Sequence, residues 1–230
     1  MLLSLSSGAW VLRRAQRGLP LPREQRIALG LAAFCGAMLG AKLPFALSDL
    51  SGLLDGTAWL GNGKTIMCGM VGAYAAVELA KWTLHIRTKT GDSFVLAAAV
   101  AIAIGRLACF TVGCCYGVPT DLPWGLQCAA VDTLRRHPTQ LYEAAFHATM
   151  AGWMFYLQRR GVWRGQLAKL YLLSYFAYRF MSEFIRPEAE LAGGLTGYQW
   201  FALTCAPVFV GLWWYDSRHA WAGCLQEAAG

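Results

Sequence analysis

The sequence predicts an all-α integral membrane protein with about seven transmembrane helices, on the evidence of its composition and of the grouping of its apolar residues. Of the 230 residues, 57% are hydrophobic and only 14% are charged, whereas a soluble domain usually carries about a quarter charged residues. The apolar residues also gather into runs of roughly the 20 residues that a helix needs to cross a bilayer. A soluble fold would need helices that are hydrophobic on every side, and it is therefore disfavoured.

Six long apolar runs predict six of the spans, at about residues 26–47, 64–85, 93–113, 139–158, 166–185 and 198–215. A shorter apolar piece at 2–12 is followed by Arg13 and Arg14. This order of apolar and charged residues, without a small-residue cleavage site, is the wrong one for a signal peptide. Residues 2–12 are therefore predicted to form a shortened first span, with an interfacial helix as the alternative.

The positive charges alternate between the loops, and this predicts the orientation of the chain. Four segments carry most of them, at Arg13, Arg14, Arg17, Arg23 and Arg26, at Lys81, Arg87 and Lys89, at Arg159, Arg160 and Arg164, and at Arg218. Because cytoplasmic loops are enriched in Lys and Arg, the amino terminus is predicted outside and the carboxyl terminus inside. The loops at 48–63, 114–138 and 186–197 are then external. The net charge of +7 follows from this topology, and no nucleic-acid partner is predicted.

The eight cysteines do not form the framework of a small disulfide-linked domain. Most lie in predicted spans, where a free cysteine packs as a small apolar side chain. The exceptions are Cys109, Cys114 and Cys115, whose spacing does not match the paired cysteines of common zinc sites. A nucleophilic cysteine activated by His137 or by an arginine is an alternative, but small apolar packing is favoured. No metal and no cofactor is predicted, and residues 1–230 are predicted to form one transmembrane domain.

Ionisable residues at membrane depth indicate a functional site, because an isolated charge in lipid is costly. Four positions qualify: Arg106, Glu143, Arg179 and Glu183. Tyr175, Arg179 and Glu183 are four residues apart and therefore share one helix face. They form a polar stripe that is either a structural ion pair or the wall of a polar cavity.

Arginine and glycine placement favours the cavity over the structural ion pair. An arginine guanidinium can donate two parallel hydrogen bonds to a phosphate group. A lipid headgroup carries the phosphate found at that depth. Gly105, Gly113 and Gly117 allow a helix to end and the backbone to approach a ligand. Irregular backbone within the membrane is tolerated where it lines a cavity, although an ordinary helix end followed by a loop is the alternative.

Four segments together carry a resemblance to a known family: GKTIMCGMVG, GRLACFTVGCCYGVPTDLPWG, RHPTQLYEA and YFAYRFMSEFIRP. In order and spacing they resemble the signature segments of prolipoprotein diacylglyceryl transferases. The resemblance covers most of the chain. It implies a seven-span enzyme of the bacterial inner membrane that moves the diacylglyceryl group of phosphatidylglycerol onto the lipobox cysteine of a prolipoprotein, at the outer face. Glycerol phosphate is released.

The resemblance also implies roles for individual residues. Arg106, Arg179 and Glu183 are expected to be catalytic, with the arginines stabilising the phosphate as it becomes a leaving group. The attacking thiol needs a base. The expected substrate-binding residues are Arg106, Tyr175, His137, Gln140, Tyr142, Glu143, Gly105, Gly113 and Gly117.

The chain departs from the family pattern on the side of the reaction that handles the thiol. Where the family has a histidine followed by two glycines, this chain has Met67, Cys68 and Gly69, and methionine cannot accept a proton. Where the signature has asparagine and glutamate, it has Cys109 and Cys114.

Two alternatives therefore stay open beside prolipoprotein modification. One is a diverged enzyme that transfers a lipid-derived group to another acceptor. If the acceptor is unchanged, another group must take the proton, and the candidates are His137, Glu143 and Glu183. The other is a non-catalytic phospholipid-binding or transport protein. Transport is disfavoured, because a transporter places its polar residues near the midplane between repeats and no repeat is visible here.

Overall fold

The computed structural model of the chain describes residues 2–48, 52, 63–127 and 132–228. These residues form two compact units, Gln16–Thr90 and Met1–Ala15 together with Gly91–Gly230. Most of the predicted external loop at 48–63 lies outside the described residues, as does Cys128. The predictions made for them stay predictions.

Every predicted apolar run is a helix in the described residues, which confirms the all-α class. The helices are α1 (Leu2–Gln16), α2 (Arg23–Ser48), α3 (Ile66–Thr83), α4 (Gly91–Val112), α5 (Thr139–Arg160), α6 (Leu167–Ser182) and α7 (Gly197–Ala228). The stretches Arg23–Leu47 and Gly91–Val112 are both long and apolar enough to cross a bilayer. These apolar helices support a membrane protein.

Glycines bring the two main helices of the Gln16–Thr90 unit into close contact. A Cβ added to Gly36 of α2 would lie 2.4 Å from the carbonyl oxygen of Gly72 in α3, and one added to Gly40 would lie 2.5 Å from the carbonyl oxygen of Cys68. Small residues that let backbones approach are typical of helix packing in membranes. Met67 lies in this contact region of α3 and is only 1% exposed.

In the larger unit, α1 lies against α4, because the Ser4 hydroxyl donates a hydrogen bond of 2.6 Å to the carbonyl oxygen of Ala101. At the start of α4, the Asp92 carboxylate accepts hydrogen bonds from the backbone N–H groups of Gly165 and Leu167, at 2.6 and 3.1 Å. These bonds satisfy donors near the first turn of α6 and fix its start beside α4.

The buried face of α5 combines an apolar stripe with two polar residues. Met150, Met154 and Leu157 recur at helical spacing and are buried. Glu143 and His147 continue the same stripe toward the amino-terminal end of the helix, and both are also buried. The sequence therefore places a carboxylate and an imidazole inside the protein, where each needs polar partners.

Two short segments complete the region around these residues. Between α4 and α5, β1 (Leu126–Gln127) pairs antiparallel with β2 (Arg135–Arg136). After α6 the chain tightens into a 3₁₀ turn at Glu183–Ile185, followed by a second at Ala192–Gly194. The predicted span at 166–185 is thus an α-helix that ends at Ser182 and one further turn that carries Glu183.

Candidate active site

Glu143 is the centre of a buried hydrogen-bonded group. Its Oε1 accepts hydrogen bonds from Arg106 Nη2 at 2.8 Å and from the Tyr175 hydroxyl at 2.6 Å. Its Oε2 lies 3.4 Å from Arg186 Nη2. The Glu143 side chain is 1% exposed and that of Arg106 is 9% exposed. Three segments therefore converge on this carboxylate of α5, namely α4, α6 and the chain that follows the first 3₁₀ turn.

His147 lies one turn further along α5 and is fully buried. Its Nδ1 is 2.7 Å from the Tyr171 hydroxyl, a hydrogen bond between two buried groups. Its Nε2 is 3.8 Å from Glu143 Oε1 and has no hydrogen-bond partner among the described residues. Tyr171 and His147 thus extend the polar group inward from Glu143.

A second buried ion pair joins Arg179 to Glu183. Arg179 Nη2 lies 3.0 Å from Glu183 Oε2, and the Thr196 hydroxyl donates to Glu183 Oε1 at 3.0 Å. The Arg179 guanidinium also lies over the ring of Tyr198, 4.3 Å from its centroid, as in a cation–π contact. The predicted stripe is divided between two groups: Arg179 pairs with Glu183 as expected, whereas Tyr175 bonds to Glu143.

Two arginine nitrogens in these groups have unused hydrogen-bonding capacity. Arg106 Nε and Arg179 Nη1 are buried and find no acceptor within the described part of the chain. The two groups together contain three guanidiniums, of Arg106, Arg179 and Arg186, against the carboxylates of Glu143 and Glu183. Buried donors without partners are costly, and an anion with several oxygen acceptors would satisfy them.

Three further residues predicted to bind substrate, Gln140, His137 and Tyr142, form hydrogen bonds that hold the loop between α4 and α5. The Gln140 side chain donates to the carbonyl oxygen of Cys114. His137 Nδ1 is 3.4 Å from the Tyr142 hydroxyl, which accepts a hydrogen bond of 2.9 Å from Trp124 Nε1. His137 does not cap α5, because that helix begins after Pro138 without a side-chain cap.

The three predicted glycines differ in what their positions require. Gly113 ends α4 with a φ of 74°, a left-handed conformation that glycine adopts without strain. A Cβ at Gly117 would lie 2.7 Å from both His137 Cβ and the carbonyl oxygen of Ile185, so the backbone passes closely here. Gly105 has more room, with Ser4 Oγ as its nearest neighbour at 3.5 Å.

A cavity of about 260 Å³ opens next to the loop. Its lining includes Phe110, Gly113, Tyr116, Arg136, His137 and Gln140. Several of the residues predicted to bind substrate therefore line the cavity. Arg106 and Glu143 do not line it.

The three cysteines of the signature segment come together in space. The Sγ atoms of Cys109, Cys114 and Cys115 all lie within 4.8 Å of one another. A left-handed φ of 61° at Cys115 turns the chain back toward α4. The hydrogen bond with the Cys109 thiol lowers the pKa of Cys115 to about 5, and the charges of Arg106 and Arg186 act in the same direction.

Comparison with known proteins identifies the family of the chain. The family described as "Prolipoprotein diacylglyceryl transferase" matches residues 1–215. The chain belongs to the prolipoprotein diacylglyceryl transferase family. Family membership makes it an enzyme of the transferase class, and the match extends across both compact units.

Several curated members of the prolipoprotein diacylglyceryl transferase family are similar to the chain. A phosphatidylglycerol–prolipoprotein diacylglyceryl transferase of Clostridium tetani is 31% identical, over 70% of this chain and 68% of the relative. The protein of that name from Zymomonas mobilis is 31% identical, over 86% of this chain and 73% of the relative. The one from Nitratidesulfovibrio vulgaris is 30% identical, over 92% and 85% respectively.

Sequence reasoning missed part of the polar group in this family member. Arg186 lies just past the predicted span, so its contact with Glu143 was not expected. His147 is four residues after Glu143, and that spacing could have indicated it. Thr196 and Tyr198 carry no local signal, because the folding of the chain before and at the start of α7 brings them to Glu183 and Arg179.

Proposed function

We propose that the protein transfers the diacylglyceryl group of phosphatidylglycerol to the lipobox cysteine of prolipoproteins. Family membership supports this function, as do the names of the relatives, which specify both substrates. The observation that carries the proposal is the pair of buried arginines with unpartnered nitrogens, Arg106 and Arg179. Phosphate oxygens are well suited to these donors, because guanidinium groups bind phosphate through several charge-assisted hydrogen bonds.

Arg106 and Arg179 are the residues proposed to act on the phosphate. In the reaction, the acceptor sulfur bonds to a glyceryl carbon, the bond between that carbon and the phosphate oxygen breaks, and glycerol phosphate leaves with the electron pair. Negative charge therefore grows on the phosphate in the transition state. Fixed guanidinium donors that lie near the growing charge lower the barrier, because they need no reorganisation as it develops.

Glu143, Tyr175 and Glu183 are proposed to position the two arginines. Glu143 holds Arg106 through Oε1, and the Tyr175 hydroxyl shares the same oxygen. Glu183 is proposed to take part in catalysis by fixing Arg179 from the other end of the site. Glu143 is a poor candidate for the base, because its oxygens are already occupied by hydrogen-bond donors.

A second candidate function is favoured by the buried Met67. Its thioether cannot take the proton of an acceptor thiol, and the side chain is 1% exposed. A diverged transferase with another acceptor, such as a small thiol, amine or alcohol, fits this substitution. His137 lines the cavity and is the candidate base, because histidine is the side chain that most often transfers protons in catalysis.

The enzyme is proposed to be a multi-pass protein of the bacterial inner membrane with one transferase domain and seven spans. Its amino terminus is proposed outside, its carboxyl terminus inside, and its active site toward the outer face. Reporter fusions after Arg87 and after Asp121 test this topology. A cytoplasmic signal at Arg87 and an external signal at Asp121 are expected, and an external signal at Arg87 contradicts the seven-span arrangement.

Complementation of a strain depleted of its own prolipoprotein diacylglyceryl transferase tests the acceptor. Rescue by the wild-type chain, and its loss in Arg106→Lys, supports prolipoprotein modification. If only Met67→His rescues, the native acceptor is a different one. If neither chain rescues and the purified protein does not turn over phosphatidylglycerol, the transferase proposal is wrong.

A further inference from the structure

The three clustered thiols lie near the arginine groups, but nothing in the proposed reaction at the phosphate uses them. Cys109 and Cys114 are half-buried and Cys115 is exposed. Their Sγ atoms lie within 4.8 Å of one another. The Cys114 thiol also donates to the carbonyl oxygen of Cys109, at 3.6 Å. Simple packing does not require three polarisable sulfur atoms to meet on one side of a loop.

The backbone explains how neighbouring cysteines can face one point. Gly113 and Cys115 both have left-handed φ angles, of 74° and 61°. Such a φ is uncommon for a residue with a side chain, and conformations of this kind cluster at functional sites. The Thr139 hydroxyl, at 2.6 Å, and the Gln140 side chain bond to the carbonyl oxygens of Cys115 and Cys114. The turn is therefore held from α5, independently of the thiols.

The spacing of the thiols fits a small thiolate-binding cation. Zinc–sulfur bonds are about 2.3 Å long, so two sulfurs of a tetrahedral site are separated by about 3.8 Å. The thiols reach that spacing if the widest pair closes by about 1 Å, which rotation of the cysteine side chains can supply. Three protein ligands with one open position are the arrangement of catalytic zinc sites.

The neighbouring positive charges are compatible with such a site. Arg106 and Arg186 lie close enough to Cys115 to act on it electrostatically. Zn²⁺ bound by three thiolates carries a net charge of −1. The positively charged guanidiniums of Arg106 and Arg186 therefore attract the zinc–thiolate centre, which is negatively charged.

We propose that Cys109, Cys114 and Cys115 form a three-thiolate Zn²⁺ site whose open fourth position binds the thiol of the acceptor. This inference rests on the proposed function for its acceptor but not for the metal. A thiol that coordinates zinc is deprotonated outright, and its proton passes to solvent. The resulting thiolate can attack the glyceryl carbon without the base that Met67 fails to provide.

Metal content tests the site without any measurement of activity. Detergent-purified protein is stripped with a chelator, reloaded with Zn²⁺ and analysed by mass spectrometry of the metal. We expect about one Zn²⁺ per wild-type chain. Cys109→Ser and Cys115→Ser should bind at least about 10- to 100-fold more weakly, because even outer partners of metal sites contribute that much. Cys205→Ser in α7 is the matched control and should bind as the wild type does.

A second test counts the reactive thiols of the wild-type protein, so that its result does not depend on whether a variant folds. Zn²⁺ should protect three thiols from a disulfide reagent. Equal reactivity with and without Zn²⁺ overturns the site. Unchanged Zn²⁺ affinity in Cys115→Ser overturns it as well, and so does native protein isolated with a disulfide in this cluster and no metal.

The open position is tested with Co²⁺ in place of Zn²⁺, because Co²⁺ reports its ligands in the visible spectrum. A lipobox peptide with its cysteine should shift the spectrum, whereas the same peptide with serine should leave it unchanged. An identical response to both peptides excludes the acceptor role. If the metal is absent but phosphatidylglycerol is still turned over, the site fails and the transferase proposal stands. If the metal binds and no lipid is turned over, the metal site stands and the transferase proposal fails.

Discussion

Arg106→Lys is expected to slow transfer by about 10²- to 10³-fold, the loss that follows removal of one fixed donor to a developing negative charge. Arg106 Nη2 is bonded to Glu143, and its Nε has no partner among the described residues. The planar guanidinium can therefore hold Glu143 and still present another donor to a phosphate. Lysine keeps the charge but concentrates it on one ammonium group, which cannot serve both partners in that geometry.

The measurement is the initial rate of phosphatidylglycerol turnover in detergent, with membrane insertion and thermal unfolding recorded for each variant. Arg13→Lys is the matched control, because Arg13 is exposed at the end of α1. The control should keep the wild-type rate. A rate near wild type for Arg106→Lys would rule out a contact that needs both arms of the guanidinium.

Glu143→Gln is expected to have the largest effect on stability. The substitution removes the one carboxylate that Arg106 and Arg186 share. Loss of one partner of a buried ion pair typically costs about 3–5 kcal/mol, because the other charge stays buried without compensation. We expect a clear fall in the unfolding temperature, measured by tryptophan fluorescence in detergent, together with loss of activity.

Glu78→Gln provides the matched control for a charge removed from a less buried pair. The Glu78 side chain is 44% exposed and pairs with Lys81 at 2.9 Å, and exposed pairs of this kind contribute only about 0–1 kcal/mol. Its unfolding temperature should stay close to that of the wild type. An equally small change in Glu143→Gln would show that the buried group is not a structural centre.

A double variant separates the structural from the catalytic contribution of the pair. In Arg106→Gln with Glu143→Gln, the two buried charges are removed together, so stability should recover in part relative to Glu143→Gln alone. Activity should stay lost, because no guanidinium remains at position 106. Recovery of both properties would mean that the pair serves only to join α4 to α5.

Local patterns allowed the sequence to predict the helices and one ion pair. Each apolar run is visible as a local stretch of the sequence, and all of the runs are helices in the described residues. The contact between Arg179 and Glu183 follows from their spacing of four residues, and it forms although Glu183 lies in the 3₁₀ turn that continues α6. Both are properties of a short stretch of chain, and neither depends on how distant segments pack.

The rest of the site depends on packing that no local pattern specifies. Arg106 and Glu143 are 37 residues apart in the chain, and only the packing of α4 on α5 brings them together. The position of Cys115 next to Cys109 depends on a left-handed backbone at a residue that usually avoids it. The sequence favoured a packing role for these cysteines, because their spacing does not match the paired cysteines of common zinc sites.

Transfer of label from phosphatidylglycerol to an acceptor by the purified protein tests the central proposal most directly. Phosphatidylglycerol labelled separately in its diacylglyceryl and headgroup parts is supplied with a lipobox peptide and with its cysteine-to-serine counterpart. We predict that the wild-type protein moves the diacylglyceryl label to the cysteine peptide alone and releases labelled glycerol phosphate, and that Arg106→Lys does neither. Intact phosphatidylglycerol after incubation with folded wild-type protein, both with the peptide and with a mixture of small thiols, amines and alcohols, would contradict the proposal.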